Sequence, residues 1–129
     1  MRLLVQRVSK ASVEVEKEIV GKIDRGFLVF LGVTHTDNEE VADYLVNKLC
    51  KLRVFEDENE KMNLSLEDIK GELLIISQFT LYAETKKSGN RPSFTNAAQP
   101  EYANKLYEYF VSKCKERDIY TQTGEFGAH

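Results

Sequence analysis

The sequence has few of the residues from which covalent or metal-stabilised sites are built. It contains no tryptophan, two prolines, two cysteines and two histidines among 129 residues. Cys50 and Cys114 are too few for a disulfide framework, and no His/Cys pair has zinc-ligand spacing, so we expect neither a disulfide nor a structural zinc site. His35 precedes a predicted helix and His129 is the last residue. Neither histidine is therefore well placed to complete a Ser-His-Asp triad.

Long apolar runs and a secretion signal are also absent. The chain has no stretch of about 20 apolar residues, which a transmembrane helix requires. Its first segment, MRLLVQRVSK, lacks an apolar core followed by a cleavage site, so we expect a cytoplasmic protein. The length fits one domain. A net charge of −3 excludes a general polyanion-coating protein but leaves room for a local basic site.

The hydrophobic pattern predicts an α+β or mixed α/β fold with two main helices and about six strands. Period-two alternation runs through residues 3–8, and the apolar segment 27–33 indicates a central strand. Between them we expect a hairpin that turns at residues 16–17. A capping box at residues 36–39 predicts the start of one helix, and Pro100 suits the first position of the other. Neither a Gly-x-Gly-x-x-Gly motif nor a Walker loop is present, so nucleotide sites of those kinds are not expected.

Residues 77–94, SQFTLYAETKKSGNRPSF, combine hydroxyl, amide and basic side chains in one segment and are the main candidates for a functional site. They follow the apolar run 73–76, so we predict a strand over residues 72–81 whose end presents Ser77, Gln78 and Thr80. The connection after it is long, and long loops in compact domains are commonly functional. A solvated loop that happens to contain lysines is the alternative interpretation.

A hydroxyl nucleophile such as Thr80 needs an adjacent base, and the sequence indicates neither such a base nor a pair of catalytic carboxylates. An enzymatic site here would work with hydroxyls, amides and backbone N–H groups, which can bind an oxyanion and position a substrate that brings its own reactive group. The 2′-OH at the 3′ terminus of an aminoacyl-tRNA is such a group. Lys86, Lys87 and Arg91 would attract the acceptor-end phosphates, and phenylalanines could stack on the terminal adenine.

The chain resembles the D-aminoacyl-tRNA deacylase family, also called the D-Tyr-tRNA(Tyr) deacylase family. The resemblance rests on segments that stand in the family's order and spacing over nearly the whole chain: LLVQRVSKASVEV, GFLVFLGV, DYLVNKLCKLRVFEDENEKMNLS, GELLIISQFTLYA, KSGNRPSF and TGEFGA. The combination of SQFTLYA with GNRPSF is the most specific part. The resemblance implies a compact domain of antiparallel-rich, barrel-like sheets with two main helices, and a homodimer.

The implied activity is that of a carboxylic ester hydrolase that releases D-amino acids, and glycine from tRNA(Ala), from mischarged tRNA without a metal or cofactor. The implied catalytic residues are Ser77, Gln78, Phe79 and Thr80, and we favour a positioning role over a nucleophilic one for Thr80. Arg7 is implied to help orient the element that reads chirality. The expected substrate-binding residues are Arg7, Lys86, Lys87, Arg91, Pro92, Ser93, Phe94, Phe126, Gly127 and Ala128.

One part of the family pattern is missing from residues 1–129. The family continues past Phe-Gly-Ala into a further strand and an Asn-x-Gly-Pro-x-Thr motif that enters the partner subunit's pocket, whereas the prolines here are Pro92 and Pro100. We therefore expect residues 1–129 to form a single deacylase domain without that strand and motif, and we interpret the end at His129 as a truncation.

Two other functions remain open at this point. One is a non-catalytic module that binds an RNA end or a protein, because the motif is missing, and the other is a hydroxyl-nucleophile hydrolase of a small ester or peptide. The sequence does not determine which D-amino acid and tRNA are preferred, or whether Thr80 is a nucleophile or a positioning residue. It also does not determine whether the chain is active and rejects L-amino acids without the missing motif, or whether Lys86 and Lys87 contact phosphate.

Overall fold

A four-stranded mixed sheet forms the centre of the molecule, whose computed structural model describes residues 1–86 and 89–127. The strands are β1 (Arg2–Val8), β2 (Ala11–Val15), β3 (Glu18–Ile23), β4 (Gly26–Gly32), β5 (Phe55–Glu56), β6 (Met62–Leu64), β7 (Glu72–Ser77) and β8 (Thr121–Thr123), and the helices are α1 (Glu39–Lys51) and α2 (Pro100–Glu116). The central sheet has the order β1-β4-β7-β8. β4 pairs antiparallel with β1 and parallel with β7, and β7 pairs parallel with β8.

The other described strands form two hairpins. β2 and β3 pair antiparallel around Glu16 and Lys17, whose positive φ angles of 51° and 69° close the turn as predicted. β5 and β6 form the second, shorter hairpin. The predicted class, with two main helices and mostly antiparallel pairings, is confirmed. The described strands form an open sheet flanked by hairpins, however, and do not close into a barrel.

β4 and β7 are the most deeply buried strands, and each lies between two other strands of the central sheet. Phe27, Val29, Leu73 and Ile75 have no exposed surface, as expected for neighbouring parallel strands with continuous apolar runs. Helices α1 and α2 pack together and belong to the same core as these strands, and they contribute the buried Cys50 and Cys114. In the described part of the chain, neither helix combines the length and apolarity needed to cross a membrane.

Local predictions were wrong at two element ends. Helix α1 is capped by Asn38, whose side chain accepts a hydrogen bond from the Val41 N–H at 3.0 Å, and not by the predicted box at residues 36–39. Strand β7 stops at Ser77, and a 3₁₀ helix over residues 79–82 replaces the last part of the predicted strand. Side chains after Ser77 therefore do not alternate between the two faces of a sheet.

Candidate active site

A cleft of about 670 Å³ lies where three distant parts of the chain meet at the carboxyl end of β7. One wall is residues 13–15 of β2, another is residues 76–80, and the third is residues 124–127; Pro100 completes the lining. The cleft therefore contains all four residues of the Ser-Gln-Phe-Thr motif, together with Phe126 and Gly127. Ends of buried parallel strands are a usual place for functional side chains, because the strands hold them rigidly.

The chain changes direction between β7 and the 3₁₀ helix. Ser77 is the last residue of β7 in register with β4, opposite Leu31, and the Gln78 N–H donates to the Leu31 carbonyl at 2.8 Å. Gln78 is still extended, with φ −143° and ψ 95°. The turn then closes through a hydrogen bond from the Ala83 N–H to the Thr80 carbonyl at 3.1 Å. Gln78 and Thr80 are thereby placed on adjacent parts of one cleft.

Gly32, the last residue of β4, allows the 3₁₀ helix to pack against the sheet. A Cβ atom at Gly32 would lie 3.0 Å from Cβ of Leu81, 3.1 Å from the carbonyl oxygen of Gln78 and 3.2 Å from Cδ2 of Tyr82. These separations are shorter than ordinary contacts between carbon atoms, which lie near 3.5–4.0 Å. The absence of a side chain at Gly32 therefore fixes how closely this helix approaches β4.

The side chains of Gln78 and Thr80 are hydrogen bonded to each other. The Gln78 amide Nε2 donates to Thr80 Oγ1 at 2.5 Å. Because the Thr80 oxygen accepts this bond, its own proton remains available to a group in the cleft, and the incoming bond strengthens it as a donor.

No imidazole or carboxylate within residues 1–86 and 89–127 hydrogen bonds to the Thr80 hydroxyl. His35 is engaged elsewhere, since its Nε2 lies 2.6 Å from the carbonyl oxygen of Thr95. The geometry therefore equips Thr80 as a hydrogen-bond donor and does not supply the adjacent base that a hydroxyl nucleophile needs.

An aromatic pair stands beside the cleft. The rings of Phe79 and Phe94 are 5.0 Å apart at 73°, an edge-to-face contact. Both rings face water in part, with 58% and 39% of their surface exposed. Exposed aromatic rings held by a neighbour offer a surface on which a nucleobase can stack.

Phe94 follows a loop whose ends are joined by backbone hydrogen bonds. The N–H of Glu84 donates to the Ser93 carbonyl and the N–H of Ser93 to the Glu84 carbonyl, each at 2.8 Å. Lys86, Arg91 and Pro92 lie inside this loop and are exposed. Among the residues that the structure describes, neither Lys86 nor Arg91 has an ion-pair partner. Their charges are therefore available to an anion from outside, and their contact with phosphate stays a prediction.

The third wall is held by Tyr107 of α2. Its hydroxyl donates to the Ile75 carbonyl at 2.6 Å, and its ring lies 6.1 Å from the ring of Phe126. Burial raises the pKa of Tyr107 to about 12, so the hydroxyl stays protonated and remains a donor. Gly127 follows with a φ of +80°, which favours glycine.

Of the predicted substrate-binding residues that the structure describes, Phe126 and Gly127 line the cleft, whereas Arg7 and the loop residues Lys86, Arg91, Pro92, Ser93 and Phe94 do not. Lys87 and Ala128 lie outside the described residues. Arg7 is level with Phe27 and Leu73 in the sheet register, four residues before Ser77, or about 13 Å along β7. Its guanidinium donates to the Val54 carbonyl at 2.8 Å. Within one chain, the structure does not bring Arg7 together with the Ser-Gln-Phe-Thr motif.

Sequence reasoning missed the wall formed by β2 and the two carboxylates that line the cleft, Glu14 and Glu125. The sequence predicted the hairpin that contains β2, but the packing of that hairpin against residues 76–80 and 124–127 is visible only in the structure. No group of three or more His, Cys, Asp or Glu side chains in the described residues could hold a metal ion.

Comparison with known proteins identifies the family. The model of the D-Tyr-tRNA(Tyr) deacylase family matches residues 4–129. The chain belongs to this family. Deacylase relatives include the D-aminoacyl-tRNA deacylases of Clostridioides difficile, 56% identical over all of this chain and 86% of the relative, and of Thermosipho africanus, 57% identical with the same coverage. The predicted family and enzyme class, a hydrolase of D-aminoacyl-tRNA deacylase type, are confirmed.

Solved structures confirm the deacylase fold. The c-Myc DNA Unwinding Element Binding Protein superposes with a TM-score of 0.91 at 37% identity, over 100% of this chain and 87% of that chain. A probable eukaryotic D-amino acid tRNA deacylase superposes with a TM-score of 0.81, over 98% of this chain and 89% of that chain. At 17% identity, the second likeness concerns the fold alone.

Proposed function

We propose that this chain hydrolyses the ester bond of D-aminoacyl-tRNA in the cleft at Ser77–Thr80 and releases the free D-amino acid and tRNA. Family membership supports the reaction, and one observation carries its assignment to this cleft: the hydrogen bond from Gln78 to Thr80, which leaves the Thr80 proton free to donate. Such a step removes wrongly charged tRNA before it reaches translation. The proposal therefore also implies that the protein acts in the cytoplasm, where translation takes place.

Thr80 acts in this proposal as a donor to the ester carbonyl. The backbone N–H groups of Phe79 and Thr80 open the 3₁₀ helix, so neither has an acceptor within it. Together with the Thr80 hydroxyl they supply donors for the oxyanion that forms when the carbonyl carbon is attacked. Donors that are fixed in advance stabilise such a charge without reorganising during the reaction.

In this proposal a hydroxyl group of the substrate, and not a side chain of the protein, carries out the proton transfer. Water attacks the ester carbonyl carbon and gives up one proton, the bond from that carbon to the ribose 3′ oxygen breaks, and the 3′ oxygen takes up that proton. The 2′-OH of the terminal adenosine neighbours the 3′ oxygen and can relay the proton. Two carboxylates, Glu14 and Glu125, line the same cleft, and in the described residues neither is hydrogen bonded to Thr80. The proposal gives the proton relay to the 2′-OH and not to either carboxylate.

The acceptor end of the tRNA is placed beside the same cleft. The terminal adenine stacks on the exposed pair Phe79 and Phe94, and phosphates are attracted by Lys86 and Arg91. Glycine carries no side chain, so a pocket that accommodates D-residues also admits glycine esterified to tRNA(Ala). The proposal therefore includes that ester as a second substrate.

Two further parts of the proposal concern assembly and metals. A homodimer is supported by exposed apolar side chains on edge elements, Leu4 on β1 and Ile19 on β3, which are 57% and 58% exposed. Metal independence is supported by the chemistry assigned to the cleft, in which hydroxyls and amides stabilise the developing charge. Sedimentation of the purified chain, and hydrolysis rates with and without EDTA, test these two parts.

Substitutions at Thr80 test the proposal. Hydrolysis of D-Tyr-tRNA and L-Tyr-tRNA by the wild type is compared with that by Thr80→Val and Thr80→Ser. Loss of one oxyanion donor in Thr80→Val should lower kcat by ~10²–10³-fold, and Thr80→Ser should restore most of it. Loss of a nucleophile would cost far more, up to about 10⁶-fold as in serine hydrolases, and would be accompanied by an acyl-enzyme in acid-quenched wild type.

The same experiment separates the alternative functions. An acyl-enzyme on the wild type would contradict the donor role of Thr80. Binding of the tRNA acceptor end with no turnover by the wild type would contradict the enzymatic proposal and favour a non-catalytic RNA-end-binding module. Equal hydrolysis of the D- and L-esters would leave the reaction in place and contradict its chiral selectivity.

A further inference from the structure

Arg2, at the start of β1, contacts the 3₁₀ helix of the cleft from outside the cleft. One guanidinium nitrogen, Nη1, donates to the Leu81 carbonyl at 2.7 Å. The same guanidinium lies over the ring of Tyr82, with 4.5 Å between its carbon and the ring centroid. Leu81 and Tyr82 are the last two residues of the helix that begins with Phe79 and contains Thr80.

The 3₁₀ helix is weakly held by its own hydrogen bonds. It is four residues long, and the bond from the Leu81 N–H to the Gln78 carbonyl is 3.4 Å long. Gln78, at its N-terminal end, makes no side-chain hydrogen bond that caps the helix. Bonds in 3₁₀ helices are also poorer than those in α-helices. The position of Thr80 therefore depends on contacts from the rest of the protein.

Arg2 supplies such a contact from a rigid element. In β1 it pairs directly with Gly32 of β4, the glycine that packs beneath the same helix. A hydrogen bond from a charged donor is stronger than one between neutral groups, and a cation over an aromatic face adds to it. β4 thus supports the 3₁₀ helix from below, through Gly32, while Arg2 holds its last residues.

We propose that Arg2 is a positioning residue for the deacylase reaction, which fixes the 3₁₀ helix and with it Phe79 and Thr80. This proposal rests on the function proposed for the cleft. Arg2 itself touches the backbone of Leu81 and the ring of Tyr82, and it takes no part in the proton transfers.

Hydrogen exchange of the wild type, Arg2→Met and Arg2→Lys tests the contact directly. In Arg2→Met, the amides of Leu81 and Ala83, which close the 3₁₀ helix, should exchange at least about tenfold faster, because a charged hydrogen bond contributes enough free energy to shift local opening by that factor. Arg2→Lys keeps a cation but loses the planar fork, so its exchange rates should lie between those of wild type and Arg2→Met.

Arg53→Met is the matched control. Arg53 is also exposed and donates to a backbone carbonyl, that of Asn63 at 2.9 Å, but it lies two residues before β5, and Asn63 belongs to β6. Arg53→Met should leave the Leu81 and Ala83 amides and kcat unchanged. For D-Tyr-tRNA, Arg2→Met should lower kcat by about tenfold with KM within about threefold, since misplacement of a reacting group by a fraction of an ångström slows chemistry.

Exchange and activity distinguish failure of this proposal from failure of the proposed function. Unchanged exchange of Leu81 and Ala83 in Arg2→Met would overturn the proposal, as would a loss of kcat that Arg53→Met reproduces. Faster exchange without any change in kcat would overturn the positioning role. If the wild type does not hydrolyse the ester, the proposed function fails and the positioning role falls with it, while the exchange rates still report whether Arg2 holds the helix.

Discussion

Replacement of Gly32 by alanine should move the 3₁₀ helix of residues 79–82, which contains Thr80, without altering any group that touches the substrate. The new Cβ would lie 3.0–3.2 Å from Cβ of Leu81, the Gln78 carbonyl oxygen and Cδ2 of Tyr82. Ordinary contacts begin near 3.5 Å, so we expect the 3₁₀ helix to retreat from β4 by about 0.3–0.5 Å.

The expected cost in stability follows from two opposing effects. Overpacking a tight contact destabilises the folded state by about 1–3 kcal/mol. A glycine-to-alanine change also lowers the conformational entropy of the unfolded chain, which stabilises the protein by about 0.4–1 kcal/mol. We expect the free energy of unfolding to fall by about 1–2 kcal/mol, and Tm by about 5 °C. The loss of activity should be larger than the loss of stability alone would cause. We expect kcat for D-Tyr-tRNA to be about tenfold lower, because the retreat of the 3₁₀ helix displaces Thr80.

Gly71→Ala is the control for this prediction. A Cβ at Gly71 would meet the side-chain ends of Leu66 at 2.6 Å and Ile69 at 3.1 Å, at the opposite end of β7. It should also lower Tm, while kcat measured well below either Tm stays within about twofold of wild type. If Gly32→Ala kept full kcat, or if both variants lost activity in proportion to stability, the dependence of catalysis on the close packing at Gly32 would be refuted.

Three further predictions concern other parts of the molecule. Phe94→Leu should raise KM for D-Tyr-tRNA by about tenfold or more, since stacking contributes about 1–3 kcal/mol per base; an unchanged KM would exclude stacking there. Arg91→Gln should reduce the slope of log(kcat/KM) against log[salt] by about 0.7–0.9, the change expected for one phosphate contact, and an unaltered slope would contradict that contact. Burial raises the pKa of Cys50 to about 11 and of Cys114 to about 12, from 9.0. The folded state therefore holds these protons more tightly, and the free energy of unfolding should fall as pH rises above about 9, less steeply in the Cys50→Ala/Cys114→Ala double variant; equal slopes in urea titrations would contradict this.

The sequence predicts those strands and helices whose buried residues form a regular pattern within one short segment. β4 is apolar at nearly every position and lies between two strands. Helix α2 begins at Pro100, and its residues spaced four apart predict an apolar face of Tyr102, Leu106, Phe110 and Cys114; the last three are buried, whereas Tyr102 is 39% exposed. These signals are visible within a few residues of one another, because burial on both faces of a strand or on one face of a helix fixes the residue types there.

The candidate site could be predicted only in part because its geometry depends on distant contacts. The residue types drew attention to Ser77, Gln78 and Thr80 after an apolar strand and to Phe94 in the loop, and the family resemblance implied a site role for the whole Ser-Gln-Phe-Thr motif. Residues 79–82 form a 3₁₀ helix, however, because Gly32 admits them and β7 stops pairing at Ser77, and neither cause is local to the motif. The position of Arg7 likewise follows from the strand register, which a single segment does not reveal.

The central claim, that the cleft supplies hydrogen-bond donors while the substrate supplies the proton relay, is tested most directly by removing the 2′-OH. D-tyrosine esterified to the 3′ oxygen of tRNA ending in 2′-deoxyadenosine is compared with the ribose form in single turnovers with the wild-type chain. We predict that the deoxy substrate binds with similar affinity and is hydrolysed at least ~10²-fold more slowly, as expected for loss of a positioned acid–base group. Equal rates for the two substrates would contradict the account and require a base from the protein.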